Sequence, residues 1–336
     1  MESAQIANRR PVAPAPVAGV EHPAARIPGR GELGRGPEAV GRASAAARLA
    51  AHARDYLALT KPRIISLLLW TTVAAMLVAR PRGLEISTVL WTCLGGYLAA
   101  GGAGAINHYI DRDIDARMGR TKGRPIVSGR IEPLHGLIFG ICLGALAILQ
   151  LALTVNGLAA ALALAGLLGY VLLYTAWLKP RTPQNIVIGG AAGAMPPLVG
   201  WAAATGGLTW EALIPFAIVF LWTPPHFWAL ALLISDDYER TGVPMLPVVR
   251  GGGFTRRRIL GYSALLVPFT LLPVATEMLG AIYGVTALIL GAAFIVLATR
   301  LLRSPSKRAA LQLYLSSLAY LFLLFGAMAV DRLLAG

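Results

Sequence analysis

Nine separate stretches of this chain, centred near Trp70, Gly95, Gly144, Leu167, Ala194, Phe220, Pro268, Leu290 and Leu321, are apolar for long enough to cross a hydrocarbon layer of roughly 30 Å. A backbone in lipid has to satisfy its own hydrogen bonds, so each stretch is expected to be a helix and the chain an all-α polytopic membrane protein. The composition agrees, with 56% hydrophobic and only 14% charged residues and a mean hydropathy of +0.65. A soluble domain carries far more charge.

The basic residues set an orientation. With the N-terminus in the cytoplasm, 27 of the 30 Lys and Arg fall on cytoplasmic segments, and only Arg80, Arg82 and Arg332 lie on the other side. The positive-inside rule then expects nine spans with the N-terminus cytoplasmic and the C-terminus on the opposite side. The net charge of +14 is mostly this topology. No soluble basic module accompanies it, which excludes a nucleic-acid partner. Residues 1–55, rich in Ala, Pro, Gly and Arg, lack the apolar core of a signal peptide and are expected to form a disordered cytoplasmic tail, leaving 56–336 as the membrane domain. Cys93 and Cys142 fall inside spans, form no CxxC pair and read as small core residues.

Two of the connections on the cytoplasmic side are long and charged. One, "NHYIDRDIDARMGRTKGRP" (Asn107 to Pro125), follows span two. The other, containing "SDDYERTGVPMLPVVRGG" from Ser235, follows span six. Asp111 and Asp237 are separated by four spans, which suggests two four-helix halves plus a ninth helix, each half placing a carboxylate cluster at one membrane depth. Paired prolines in "MPP" (Met195 to Pro197) and "TPPHF" (Thr223 to Phe227) are expected to kink spans five and six and open a cavity.

The first loop is not a calcium loop, because Ala116 and Lys122 stand where an EF-hand needs Gly and Glu. If span two continues as helix, Asn107, Asp111 and Asp115 fan over only about 80° of one face while Asp113 points away. Two carboxylates and an amide oxygen on one stripe suit Mg²⁺ that keeps its waters and shares phosphate oxygens. Arg120, Lys122 and Arg124 follow at once. They would not help a bare cation or proton path, but they suit a diphosphate bridged by metal. Asp236, Asp237 and Arg240 form an opposing half-site for metal and phosphate. His226, deeper in span six among Trp222, Phe227 and Trp228, is either a packed core histidine or a group that orients a polar substrate, ligates iron or moves a proton. His108, one step off the stripe, reads as incidental.

At these residues the chain resembles the UbiA-type intramembrane prenyltransferase superfamily, in its haem-modifying branch. The likeness runs from about Leu57 to the C-terminus and rests on "LTKPRI" (Leu59 to Ile64), the Asn107–Pro125 stretch, "TPPHFWALAL" and "DDYERTGVPMLPVV". The superfamily pattern N-x-x-x-D-x-x-x-D is met by Asn107, Asp111 and Asp115. Its second pattern, D-x-x-x-D, is half met, since Leu233 stands four before Asp237. The resemblance implies a nine-helix UbiA-type bundle in the cell (inner) membrane, with active-site loops on the cytoplasmic side. It implies farnesyl diphosphate as donor, haem b as acceptor substrate, haem O and diphosphate as products, and Mg²⁺ as cofactor on Asn107, Asp111, Asp115 and Asp237. His226 then serves the haem as iron ligand, propionate partner or base. Tyr97, Tyr170, Tyr174, Trp201 and Trp222 are candidates to shelter an allylic cation. Membrane lipid and haem A synthase or oxidase assembly proteins are the further partners implied. The alternative within the superfamily, a quinone or other aromatic precursor as acceptor, has no need of "PPHF".

Overall fold

The structure, a computed structural model, describes residues 45–335. Among them there is no strand, and nine helical segments are long and apolar enough to cross a membrane, each spanning one of the expected centres. The molecule is a multi-pass membrane protein. Its surface carries apolar side chains that water would not tolerate in such number, including Ile86, Leu153, Ile289 and Val296.

The chain runs α1 (Ala45–Thr60), α2 (Pro62–Ala79), α3 (Ile86–Ile110), α4 (Arg112–Arg117), α5 (Pro133–Thr154) and α6 (Gly157–Leu168), which continues as a π-helix over Gly169–Leu178. It goes on through α7 (Asn185–Gly193), α8 (Met195–Thr205), a short 3₁₀ turn, α9 (Leu213–Leu233), α10 (Ser235–Thr241), α11 (Leu246–Ala275), α12 (Ala281–Arg303) and α13 (Lys307–Ala335). The expected disordered tail is corrected at its end, where α1 makes residues 45–55 helical; the rest of that tail lies outside the described residues. Asp55 on α1 accepts from Arg130 Nε at 2.9 Å, tying the helix to the long charged loop.

Helix contacts follow from small residues. A Cβ on Gly102 would lie 2.7 Å from the carbonyl oxygen of Gly140, so α3 and α5 approach to a distance that only glycine permits. Gly200 plays the same part for α8 against α2, where a Cβ would meet Thr72 O at 2.3 Å. The α7–α8 and α9 spans are 61% buried, against 28% for α5, α6 with its π extension, α11 and α12, so spans five and six form the interior. The ninth helix, α13, packs on α2, α9 and α12 and closes the bundle.

The two proline pairs behave differently. Span five breaks at Ala194, between α7 and α8. Span six does not: α9 runs unbroken through Pro224 and Pro225, although neither can donate to the preceding turn. Cys142 is exposed on the outside of α5 rather than packed in the core, and Cys93 is half-buried; both are free thiols.

Candidate active site

The expected acidic stripe forms. Helix α3 ends at Ile110, Asp111 keeps a near-helical turn, and α4 carries on, with Asp111 N donating to Asn107 O at 2.9 Å and Asp115 N to Asp111 O at 2.8 Å. Asn107, Asp111 and Asp115 are 3%, 3% and 2% exposed, while the side chain of Asp113 is 83% exposed and faces away.

Every one of these three residues meets a basic side chain. Lys61 Nζ donates to Asn107 Oδ1 at 2.7 Å, Lys179 Nζ to Asp111 Oδ2 at 2.6 Å, and Arg124 Nη1 to Asp115 Oδ2. Asn107 Nδ2 donates to Asp111 Oδ2 at 2.7 Å and to Thr175 Oγ1 at 3.2 Å, fixing the amide with its oxygen toward Lys61. Buried carboxylates need such partners. Lys61 and Lys179 are the two site residues that spacing did not pick out. Lys61 sits in "LTKPRI", and Lys179 counted only toward topology.

Local backbone geometry explains both. Lys61 holds the left-handed conformation (φ 59, ψ 53) at the α1–α2 corner, a strained choice for a lysine that tertiary contacts must maintain. Burial first, and Arg124 second, bring its ammonium down to about 7, with Asp111 and Asp115 opposing. Lys179 depends on the π-helix. In an α-helix, Lys179 would lie about 180° from Tyr170, nine positions earlier. At roughly 4.4 residues per π turn the two nearly align. The wide turn is explicit in Lys179 N donating to Tyr174 O at 2.9 Å, five residues back.

The π-helix also turns aromatic faces toward the site. The rings of Tyr170 and Tyr174 are 5.5 Å apart, and Lys61 Nζ is 5.9 Å from the centre of the Tyr170 ring. Of the other expected aromatics, Tyr97 pairs with Thr60 Oγ1 at 3.0 Å, Trp201 is buried, and Trp222 packs beside His226.

The second acidic cluster divides. The Asp237 side chain is only 12% exposed, pairs with Arg240, and would lie 3.8 Å from a Cβ on Gly119, so it faces the turn after α4. Asp236 is 77% exposed and 3.9 Å from the equally open Lys307. Next to Asp237 in sequence, buried Tyr238 has its hydroxyl raised above the usual range, by burial first; Arg120 opposes and Asp111 adds. Among the basic residues of the first loop, Arg124 pairs with Asp115 and, with Arg120, Lys61 and His108, lines a cavity of about 480 Å³, while Lys122 is exposed. His108, expected to be incidental, is 3% exposed and neither ring nitrogen has a hydrogen-bond partner among the described residues.

The donor set fits Mg²⁺. Asn107, Asp111 and Asp115 offer hard oxygens from one helical face, and among the described residues no three His, Cys, Asp or Glu gather into a cage. Such an open half-shell suits an ion that completes its coordination with water and phosphate oxygens.

His226 is buried in α9. Its Nδ1 is 2.6 Å from Ser317 Oγ on α13, and its ring stacks with Trp222 (4.3 Å, 18°) and with Tyr314 (4.9 Å, 27°). Ile234, where α9 gives way to α10, separates its helix from Asp237.

The model of the UbiA prenyltransferase family matches residues 68–326. A protein named "Protoheme IX farnesyltransferase" from Symbiobacterium thermophilum is 55% identical over 83% of this chain and 94% of its own length. One of the same name from Roseiflexus sp. is 55% identical over 83% of this chain, which spans only 52% of that relative. The chain thus covers about half the length of the first curated relatives it matches. In fold it is similar to a solved digeranylgeranylglyceryl phosphate synthase (TM-score 0.70, 20% identity, covering 84% of this chain and 99% of that one). It is also similar to a UbiA homologue from Archaeoglobus fulgidus bound to DMAPP and Mg²⁺ (TM-score 0.63, 16% identity, covering 84% and 100%).

Proposed function

The chain belongs to the UbiA prenyltransferase family, and we propose that residues 56–336 transfer the farnesyl group of farnesyl diphosphate to a vinyl group of haem b, giving haem O and diphosphate. The observation that carries this reading is the buried Asn107–Asp111–Asp115 stripe, opposed by Lys61, Lys179 and Arg124 and flanked by Tyr170 and Tyr174. An acid stripe next to fixed cations is built for a metal-bridged anion, and tyrosine faces suit a carbocation. The acceptor is supported by relatives that bear the name protoheme IX farnesyltransferase and by the "TPPHF" segment.

In this reading Asn107, Asp111 and Asp115, with Asp237 opposite, hold Mg²⁺, which when bound supplies charge neutralisation to the leaving diphosphate. Lys61, Lys179, Arg120, Arg124 and Arg240 bind the diphosphate oxygens, and Lys122 and Asp236 stand at the rim. The bond between the allylic carbon and the diphosphate oxygen breaks, and Tyr170 and Tyr174 keep water off the farnesyl cation until the vinyl carbon attacks it. Water then adds to the resulting haem-side cation and loses a proton, leaving a hydroxyalkyl group. The N-terminus and the charged loops are assigned to the cytoplasmic face of the cell membrane and the C-terminus to the other face, from the distribution of Lys and Arg. Membrane lipid surrounds the bundle, and haem A synthase or oxidase assembly proteins are the proposed recipients of the product.

The test is direct. Membranes containing the protein, given haem b, farnesyl diphosphate and Mg²⁺, should yield farnesyl-hydroxyethyl haem by mass spectrometry. Diphosphate release without a haem product would reject haem as acceptor and favour a quinone precursor.

A further inference from the structure

Three roles were open for His226: iron ligand, propionate partner or base. They differ in what the ring must present. A propionate needs an N–H donor, whereas iron or a proton needs a lone pair.

The hydrogen bonds around Ser317 decide between them. Ser317 is completely buried on α13, and its single hydroxyl proton is committed to the carbonyl of Tyr314, at 2.6 Å. Its oxygen can therefore only accept from His226, so the 2.6 Å contact is Nδ1–H donating to Oγ. A neutral imidazole protonated at Nδ1 carries its lone pair at Nε2. The carbonyl of the same serine accepts from Trp222 Nε1 at 2.8 Å and holds the indole flat against the imidazole. With Tyr314 also stacked on the imidazole at 4.9 Å and Phe227 edge-on at 5.4 Å, the plane of the ring is held by its neighbours. One residue thus sets both the tautomer and the orientation of the histidine.

From this we infer that Ser317 is a positioning residue, which fixes His226 with Nε2 unprotonated, so that the atom it meets on the acceptor is electron-poor, a metal centre or an acidic hydrogen, and not a carboxylate. This rests on the proposed acceptor side of the site for its catalytic meaning, but not for the tautomer.

The chain has only five histidines, so nitrogen-15 histidine labelling of the whole protein in nanodiscs gives a readable spectrum, with His226→Gln assigning the resonance. The His226 signal should show a protonated Nδ1 and a bare Nε2. In Ser317→Ala that preference should be lost, and turnover should fall by roughly tenfold, as for removal of an orienting partner, with KM for farnesyl diphosphate unchanged. Ser317→Thr should restore both. A wild-type spectrum with the proton on Nε2, or a Ser317→Ala spectrum that keeps it on Nδ1, overturns the inference without any variant having to be active. If haem b proves not to be the acceptor, the tautomer result is untouched and the two failures remain distinct.

Discussion

The two acidic clusters look alike in sequence and are unlike in space. In the first, Asn107, Asp111 and Asp115 are buried and each is met by a basic side chain, Lys61, Lys179 and Arg124 respectively. In the second, the neighbouring aspartates part company, with Asp237 turned toward Gly119 and Asp236 left in the open beside Lys307. The difference teaches that carboxylate count is a poor guide to a metal site. What distinguishes a functional acid is that the fold has withdrawn it from water and supplied a counter-charge, since an unpaired charge cannot be buried at tolerable free energy.

The largest effect should therefore come from the first cluster. Asp111→Ala and Asp115→Ala are each expected to lower turnover by at least about a hundredfold, the scale of losing a group that stabilises developing charge. Asp113→Ala should stay within about twofold of the parent, as is normal for an exposed side chain with no buried partner. Equal losses in all three, measured as pyrophosphate release, would break the comparison, because burial would then not be what separates them.

This contrast was legible in the sequence because it is local. Four-residue spacing on a helix fixes Asn107, Asp111 and Asp115 to one face without knowledge of any other element. The nine spans were legible for the same kind of reason, length and hydropathy being local quantities. Of the partners, Arg124 stood out in the same charged stretch, but Lys61 and Lys179 did not. Lys179 meets Asp111 across 68 positions, and only because a π-helix, which has no residue signature in "GYVLLYTAWL", rotates it to that side. The corner that aims Lys61 is a strained conformation for lysine, against its propensity. His108 looked idle one step off the stripe, yet the fold buries it against the cavity wall. The proline pairs look alike in sequence, yet Pro196 and Pro197 open a new helix after the break at Ala194 while Pro224 and Pro225 lie inside the unbroken α9.

The counter-charges come next in expected size. Arg124→Lys keeps the charge near Asp115 but loses the planar fork, so the affinity for inorganic pyrophosphate in the presence of Mg²⁺ should fall by roughly tenfold. Lys179→Met removes a buried partner of Asp111 and should weaken pyrophosphate binding at least as much, whereas Lys122→Ala, at an exposed position, should leave it unchanged. If Lys122→Ala weakened binding as much as Lys179→Met, the diphosphate would lie on the outer loop and not against the buried stripe.

The smallest difference lies within the second cluster and is the sharpest test, because it compares adjacent residues of one type. Asp237 is mostly shielded, close to the turn that follows α4, and its neighbour Tyr238 is buried. Asp237→Asn preserves shape and removes one charge from the proposed metal half-site, so it should lower turnover by roughly tenfold, the low end of the range seen when a metal site loses a supporting group. Asp236 has its side chain 77% exposed and meets Lys307 at 3.9 Å, both features of a surface ion pair worth about 0–1 kcal/mol. Asp236→Asn should shift turnover by less than about twofold and the midpoint of thermal unfolding by a degree or two at most. Reversal of this order would mean that α10 turns its other face to the substrate. Asp236 would then supply the second metal oxygen that Leu233, the apolar residue at the first position of that half-met pattern, cannot provide.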